Sequence, residues 1–149
     1  VLLTGQGGDE LFGGYQKYLQ AYSQYGVKAV QEAMYRDVVS SYEVNFQRDN
    51  QVCSFHGIEL RLPFTNREVV DFSLGLPVSL KIDSPRDRLR KRVLRRVAQM
   101  LGLPPPIFNR PKKAIQYATG VNKALKRLAK NKGLTLQEYI KMVFREAYS

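Results

Sequence analysis

Several residue types that would mark common classes of protein are scarce in this chain of 149 residues. It holds one cysteine, Cys53, and one histidine, His56, so neither an internal disulfide nor a zinc site of Cys and His ligands can form. No run of about eighteen apolar residues occurs, so no membrane span is expected. Tryptophan is also absent, which argues against nucleic-acid binding. A single thiol suits the reducing cytoplasm, where we expect the chain to reside with Cys53 buried as a structural residue.

Acidic residues are scarce in the second half of the chain. Residues 75–149 contain eighteen Lys and Arg against four Asp and Glu, whereas residues 1–74 contain six against nine. A basic segment of this kind fits an anionic partner, such as a nucleotide's phosphates, a nucleic acid or an acidic protein surface. Recognisable RRM, KH and zinc signatures are missing, which argues against nucleic acid. A basic helical module that binds phosphates or nucleic acid without chemistry stays open as an alternative.

The glycine-rich stretch near the beginning of the chain is the strongest candidate for a site. Three apolar residues lead into Thr4-Gly5-Gln6-Gly7-Gly8-Asp9-Glu10, a pattern typical of a short strand, a turn and a helix. Backbone N–H groups in such a turn can approach a phosphate without interference from Cβ atoms. The stretch lacks both the Lys-Ser or Lys-Thr of a P-loop and the G-x-G-x-x-G spacing. A phosphate-binding turn that carries an acid such as Asp9 usually works through a divalent metal. The alternative is a purely structural strand-turn-helix corner, in which the acids only complement the helix dipole.

Hydrophobic periodicity predicts that most of the remaining chain is helical. The expected helices are 16–25 ending before Gly26, 27–56 ending at Gly57, a helix from Thr65 to Leu76, then 85–101, 121–132 and 136–147. Their expected inward-facing residues are Val30, Met34, Val38 and Tyr42, then Val69, Phe72 and Leu76, then Leu89, Val93, Val97 and Met100.

Local signals refine this pattern in three places. Pro63 predicts an extended segment over 59–64, in which Glu59 and Arg61 lie on the same side and can form an ion pair. The T-x-x-E sequences of Thr65–Glu68 and Thr135–Glu138 each predict a capping box at a helix N-terminus.

Two blocks of the sequence resemble the asparagine synthetase family. Residues 4–15, Thr-Gly-Gln-Gly-Gly-Asp-Glu-Leu-Phe-Gly-Gly-Tyr, resemble the family's nucleotide-site motif S-G-x-G-x-D-E-x-F-G-G-Y. Arg48-Asp49 followed by His56-Gly57-Ile58-Glu59-Leu60-Arg61-Leu62-Pro63-Phe64 resembles its R-D … H-G-L-E-x-R-x-P-F segment. Two further blocks, Lys91 with Leu94 and Arg95, and Arg110-Pro111-Lys112-Lys113, are similar to the later K-x-x-L-R and R-x-K segments. The resemblance covers residues 1–125.

The resemblance implies a mostly α structure within an α/β parent domain of the adenine nucleotide alpha hydrolase-like fold. One N-terminal strand and a glycine-rich turn, within residues 1–15, would precede about six to eight helices in residues 16–149. Members of the family carry a glutaminase domain and an ATP-pyrophosphatase domain, which activates aspartate as an acyl-adenylate that ammonia then attacks. We therefore expect ATP, Mg²⁺ and an aspartate-like carboxylate as ligands. The chain would be the C-terminal segment of one such domain, with the rest of that domain and a glutaminase domain as partners.

Individual roles follow from the same resemblance. It assigns the adenylate to Thr4, Gly5 and Gly7, and cofactor binding also to Lys91. It assigns Mg²⁺ and pyrophosphate to Asp9, and catalysis to Lys112 and Gln6, with Lys113 as an alternative to Lys112. Lysines and a metal ion suit this chemistry because they neutralise charge that develops on phosphoryl groups.

Two departures from the family pattern qualify this expectation. Many members have an acid at the position of Gln6, where it is thought to handle a proton of ammonia. A neutral amide cannot act as a general base, although it can orient a substrate. The family's first nucleotide motif, S-G-G-x-D-S, and the glutaminase cysteine are also absent from these residues. We therefore expect this chain alone to be inactive, and a catalytically silent scaffold of the same ancestry is the further alternative.

Overall fold

A computed structural model of the chain describes residues 1–112 and 118–148. The chain divides into two compact units, residues 1–112 and residues 113–149. The first unit opens with β1 (Leu2–Leu3), which pairs in parallel with β2 (Leu60–Arg61). The Thr4 N–H extends this ladder by donating to the Arg61 carbonyl at 3.1 Å. The pairing brings the glycine-rich stretch beside the segment around Pro63, although the two are far apart in the sequence.

Helices make up most of the rest of the first unit. They are α1 (Gly8–Phe12), α2 (Gln16–Ser41), a π-helical turn (Tyr42–Phe46), α3 (Gln47–Phe55), α4 (Arg67–Gly75), α5 (Arg92–Met100) and α6 (Pro105–Phe108), with 3-10 turns at Pro63–Thr65 and Val78–Leu80. This mostly α arrangement with a short parallel sheet confirms the predicted fold class. The second strand lies within the segment predicted to be extended, but the prediction is wrong for Pro63 and Phe64, because the fixed φ of Pro63 opens a 3-10 turn there. Glu59 and Arg61 form an ion pair at 2.7 Å, one of the outcomes that their spacing allows.

Gly26 turns the chain back on itself within α2. Its φ of 80° and ψ of −171° are not helical, and this region of backbone space is essentially restricted to glycine. The Tyr18 hydroxyl donates to the Asp37 carboxylate, although a straight helix would separate these residues by about 28 Å. The two halves of α2 therefore form a hairpin, and Gly26 ends the first helix as predicted.

The core of the first unit lies between the two halves of α2 and the 3-10 turn that follows α4. Its buried residues are Tyr18, Leu19, Val30, Met34, Val78 and Ile82. Cys53 is buried separately in α3, as expected. Val38 is only half-buried and Tyr42 is 63% exposed. The expected face fails there because the π-helical turn begins at Tyr42 and changes the periodicity of the helix.

The capping box predicted at Thr65 is wrong by one residue. Asn66 is the N-cap of α4, because its side-chain oxygen accepts the Glu68 N–H at 2.9 Å. The Thr65 hydroxyl instead donates to the Leu62 carbonyl at 2.8 Å, within the 3-10 turn that Pro63 opens. The shift also changes the inward face, since Phe72 is 68% exposed and Ser73 is fully buried.

The helix predicted over 85–101 begins only at Arg92, because the side chain of Asp87 organises the preceding residues as a loop. Its carboxylate accepts the backbone N–H groups of Asp83, Leu89 and Arg90 at 2.9 to 3.1 Å. Arg90 and Lys91 adopt positive φ angles of 54° and 51°, which an α-helix does not allow. The predicted inward face also fails in α5, where Val97 is 45% and Met100 76% exposed.

The second unit contains α7 (Val121–Asn131) and α8 (Leu136–Tyr148), which pack against each other. Its predicted capping box is confirmed, because Thr135 N–H and hydroxyl donate to the Glu138 carboxylate at 2.8 and 2.7 Å. The Glu138 N–H in turn donates to the Thr135 hydroxyl at 3.3 Å. Across the described parts of both units, no helix has the length and apolar character needed to cross a bilayer.

Candidate functional site

The glycine-rich turn, residues 4–8, lies against the aromatic ring of Phe64. A Cβ on Gly8 would lie 3.3 Å from this ring, and one on Gly7 would lie 3.4 Å from the Phe64 Cβ. Gly7 also has a φ of 84°, which side chains rarely allow. The Phe64 ring in addition makes an edge contact with Phe12 of α1, with centroids 5.7 Å apart. The two blocks therefore form one structure, in which Phe64 supports the turn.

The Asp9 carboxylate, at the beginning of α1, lies between two lysines. The Lys112 ammonium donates to Oδ2 at 2.8 Å, and the Lys91 ammonium lies 2.8 Å from Oδ1. All three side chains are 20 to 25% exposed, so the cluster is accessible at one side while its ion pairs are partly shielded from water. Two cations against one anion leave a net positive charge beside the turn. A phosphate group is the natural ligand for such a site.

Burial and the lysines act in opposite directions on Asp9. Burial by itself would raise the pKa of this carboxyl, but the hydrogen bonds and positive charges of Lys112 and Lys91 hold the pKa below its ordinary value. Asp9 is therefore an anion under all physiological conditions. Its buried Oδ1 lies 2.8 Å from the Lys91 ammonium.

Gly14, just after α1, packs directly against this cluster. Its N–H donates to the Asp9 carbonyl at 2.8 Å. A Cβ at Gly14 would lie 1.8 Å from the Asp9 Oδ1 and 2.6 Å from the Lys91 Cε. A Cβ at the adjacent Gly13 would likewise lie 2.7 Å from the Cγ1 atom of Ile82 in the core. The Gly-Gly pair thus allows the close approach of the chain to the lysine–aspartate cluster on one side and to the core on the other.

The side chain of Gln6 pairs with a carboxylate from another part of the first unit. Its amide nitrogen donates to the Asp49 carboxylate of α3, and the other oxygen of Asp49 accepts from the Arg48 guanidinium at 2.8 Å. The Arg-Asp pair of the second sequence block is therefore the partner of the loop residue. A carboxylate thus lies next to position 6, although it belongs to a different element.

Glu10 is a buried acid on the other side of α1. It is 5% exposed and accepts a hydrogen bond from the Tyr15 hydroxyl at 2.7 Å. The amide of Asn45, within the π-helical turn, reaches the same oxygen at 3.5 Å. Burial and then the hydrogen bond to Glu10 raise the pKa of Tyr15 well above its ordinary value, so its hydroxyl remains a donor. These contacts attach the π-helical turn to the helix that carries Asp9.

Comparison with protein families identifies the relatives of this arrangement. The family model described as asparagine synthase matches residues 1–26 and 23–147 of the chain. The chain belongs to the asparagine synthase family. It is 33% identical to a putative glutamine-hydrolysing asparagine synthetase of Methanocaldococcus jannaschii, over 100% of this chain and 33% of that protein. No solved structure matches the chain.

Two eukaryotic relatives extend the comparison. The asparagine synthetase domain-containing protein 1 of Mus musculus is 36% identical over 83% of this chain and 20% of its own length. The human glutamine-hydrolysing asparagine synthetase is 30% identical over 94% of this chain and 23% of its own length. The chain therefore spans a third or less of the relatives described here. Asparagine synthases are in general ATP-dependent enzymes.

The structure brings the predicted site residues of this asparagine synthase segment together only in part. Asp9, Lys91 and Lys112 are in direct contact. The residues predicted for the adenylate, Thr4, Gly5 and Gly7, form the turn that precedes them. Gln6 pairs with Asp49 instead of joining the lysine cluster. Lys113, the alternative to Lys112, lies outside the described residues.

Sequence reasoning missed three features of the site. Asp49 belongs to the Arg-Asp block that resembles the family, but the residues around it in the sequence do not indicate that it contacts Gln6. Gly14 belongs to the first motif, and its proximity to Asp9 depends on how the chain leaves α1. Arg95 also lies in a family block, and its partners become visible only in the folded chain.

Proposed function

We propose that this chain supplies the pyrophosphate-handling side of an asparagine synthetase-like active site, within a longer ATP-dependent amide-forming ligase. The observation that carries the proposal is the Asp9 carboxylate held between Lys91 and Lys112 beside the glycine-rich turn. The cluster has a net positive charge, a partly open side and backbone groups free of Cβ atoms. These are the properties that a departing pyrophosphate requires.

In the proposed reaction, an oxygen of the aspartate side chain attacks the α-phosphorus of ATP. The bond between this phosphorus and the β-bridging oxygen breaks, and pyrophosphate leaves with the negative charge. The ammonium groups of Lys91 and Lys112 donate hydrogen bonds to the pyrophosphate oxygens as their negative charge develops. These bonds lower the activation barrier most if both lysines are already fixed in place. Ammonia, formed from glutamine elsewhere in the protein, then attacks the acyl carbon, AMP departs with the electron pair of the broken C–O bond, and the nitrogen releases one proton to solvent.

A Mg²⁺ ion fits the proposal if substrate phosphates supply most of its ligands. Groups of three or more Cys, His, Asp or Glu side chains able to hold a metal are absent from residues 1–112 and 118–148. Asp9, however, presents a partly buried carboxylate whose Oδ1 now contacts the Lys91 ammonium at 2.8 Å, and a metal ion would take the place of that ammonium. One or two carboxylates usually suffice for an ion that also binds phosphates. When bound, the ion would supply further neutralisation of phosphate charge. Asp9 is the residue that would hold it.

The test is pyrophosphate release by the full-length natural protein that carries this chain. Release should require both ATP and aspartate, and Lys112→Gln or Lys91→Gln should slow it about a hundredfold, in the range found when one stabilising donor is removed from a reaction centre. Lys28→Gln is the matched control, because Lys28 is exposed on α2. Release that persists undiminished in both lysine variants would contradict the assignment.

The alternative of a catalytically silent relative draws on one observation, the pairing of Gln6 with Asp49. This pairing provides a structural use for the amide at the position where many family members carry an acid. The same assay separates the two functions. Full-length protein that binds ATP, with an affinity that depends on Lys112, but never releases pyrophosphate would be the silent scaffold. We also propose that the 149-residue chain alone is inactive, so release by the isolated chain would refute that part.

A further inference from the structure

We infer that Arg95 is a positioning residue that holds Lys91 and Lys112 in place for an anionic ligand. The inference rests on the proposed function for its choice of ligand, pyrophosphate. Arg95 lies in the first turns of α5 and does not touch Asp9 or the glycine-rich turn in any contact of the described residues. Its influence on the site would pass through the backbone of the two segments that carry the lysines.

The guanidinium of Arg95 donates to four backbone carbonyls on two separate segments. Nε donates to Arg90 at 2.7 Å and Nη2 to Leu89 at 2.6 Å. Nη1 donates to Arg110 at 2.9 Å and to Phe108 at 2.5 Å. The first pair of carbonyls belongs to the two residues directly before Lys91, and the second pair belongs to residues four and two positions before Lys112. One planar group therefore joins both segments.

These segments converge on a single carboxylate. Lys91 and Lys112 both contact Asp9 at 2.8 Å, on different oxygens. Lysine side chains are flexible, so a constant separation of the two backbones reduces the number of arrangements that the ammonium groups can adopt. Within the described residues, the Arg95 guanidinium makes direct hydrogen bonds to both segments that carry the lysines, and it thereby fixes the distance between their backbones.

The backbone at Lys91 also needs support of this kind. Arg90 and Lys91 have φ angles of 54° and 51°, a conformation that costs energy for residues other than glycine and persists only where surrounding contacts enforce it. Arg95 holds the carbonyls of Leu89 and Arg90, while Asp87 holds the N–H groups of the same two residues at 2.9 and 3.1 Å. The loop is therefore fixed from both sides.

Only arginine can make this set of contacts. Guanidinium has five N–H donors in a rigid plane, of which four are used here on carbonyls, so little is left for a ligand. Lysine carries the same charge on one flexible ammonium and cannot span four carbonyls on two segments. If Arg95 served only as a positive charge near the anion, Arg95→Lys would preserve binding. If it acts by positioning, Arg95→Lys fails nearly as badly as Arg95→Gln.

The experiment measures pyrophosphate affinity by titration calorimetry, with the full-length protein that carries this chain. We expect Arg95→Gln and Arg95→Lys to weaken binding about tenfold or more, which is the effect of losing one charge-assisted hydrogen bond between a displaced lysine and the ligand. Arg96→Gln is the matched control, since Arg96 is exposed on the same helix and pairs only with Gln99 in the described contacts. The same substitutions are then made in a background in which Lys91→Met and Lys112→Met are already present.

The lysine background separates positioning from general structural support. If Arg95 acts through the lysines, Arg95→Gln costs no further affinity once both are gone, because interacting residues are not additive. An undiminished cost in that background, wild-type affinity in Arg95→Gln, or rescue by Arg95→Lys would each overturn the inference. Wild-type protein that binds no pyrophosphate would instead overturn the proposed anion site itself. Hydrogen exchange of residues 87–92 and 105–112 should also accelerate in Arg95→Gln and stay unchanged in Arg96→Gln.

Discussion

Replacing Gly14 by alanine should disable the lysine–aspartate cluster while leaving most of the fold intact. Gly14 does not have a positive φ, so alanine introduces no backbone strain there. The added Cβ would lie 1.8 Å from the Asp9 Oδ1, 2.7 Å from its Cγ and 2.6 Å from the Lys91 Cε. Non-bonded carbon and oxygen atoms need about 3.3 Å or more. The carboxylate must therefore move by about 1.5 Å, which separates it from at least one lysine.

The size of the effect follows from which atoms have to move. They are the ends of two side chains, not backbone, so we expect a loss of about 1 to 2 kcal/mol in the free energy of unfolding, the lower part of the range for overpacking. The reaction is more sensitive, because misplacing a reacting group by about 1 Å can cost about a hundredfold in rate. Under the proposed function, we therefore expect pyrophosphate release by the full-length protein to fall about a hundredfold in Gly14→Ala, with only a small change in chemical denaturation.

Gly75 provides the matched control for the same chemical change. It ends α4, its φ is not positive and no atom lies within 4 Å of the position of its Cβ. Gly75→Ala should leave activity unchanged and alter stability by about 1 kcal/mol or less. The reasoning would be refuted if Gly14→Ala releases pyrophosphate as fast as Gly75→Ala, or if it loses activity only because it unfolds.

Three further predictions concern the loop, an acid and a turn. Gln6→Glu should lower stability by about 1 kcal/mol in denaturation experiments because two carboxylates then meet, and adding Asp49→Asn should restore it; no loss in Gln6→Glu would contradict this pairing. Burial by itself raises the pKa of Asp87, but the Arg92 hydrogen bond and backbone N–H groups lower the pKa to about 2 from 3.8. The ionised carboxylate therefore stabilises the fold by about 2 kcal/mol above pH 4, and this contribution disappears as the pH falls toward 2. Acid denaturation of Asp87→Asn should lack this pH dependence. Gly26→Ala should cost about 1 to 3 kcal/mol from backbone strain alone, measured by denaturation, and wild-type stability would show that the hairpin tolerates a side chain.

Features decided by neighbouring residues were predictable from the sequence. The helix breaks at Gly26 and Gly57, the capping box at Thr135 and the extended segment before Pro63 all depend on residues within a few positions, and all are present. Local rules failed where a distant or buried group intervened. The buried carboxylate of Asp87 holds a loop where periodicity indicates a helix, and periodicity carries no information about such a contact.

The family, the glycine-rich turn and the identity of the charged residues in the candidate site could all be predicted from the sequence alone. Motifs of this kind are local, because each glycine or proline acts through its own backbone. Which charges come into contact depends instead on the folded arrangement of distant segments. Lys112 reaches Asp9 across 103 positions, Asp49 reaches Gln6 across 43, and Arg95 joins two segments through their carbonyls. Such contacts depend on how β1, α1 and α5 pack together, since a charged side chain interacts equally well with any opposite charge that the fold brings near it.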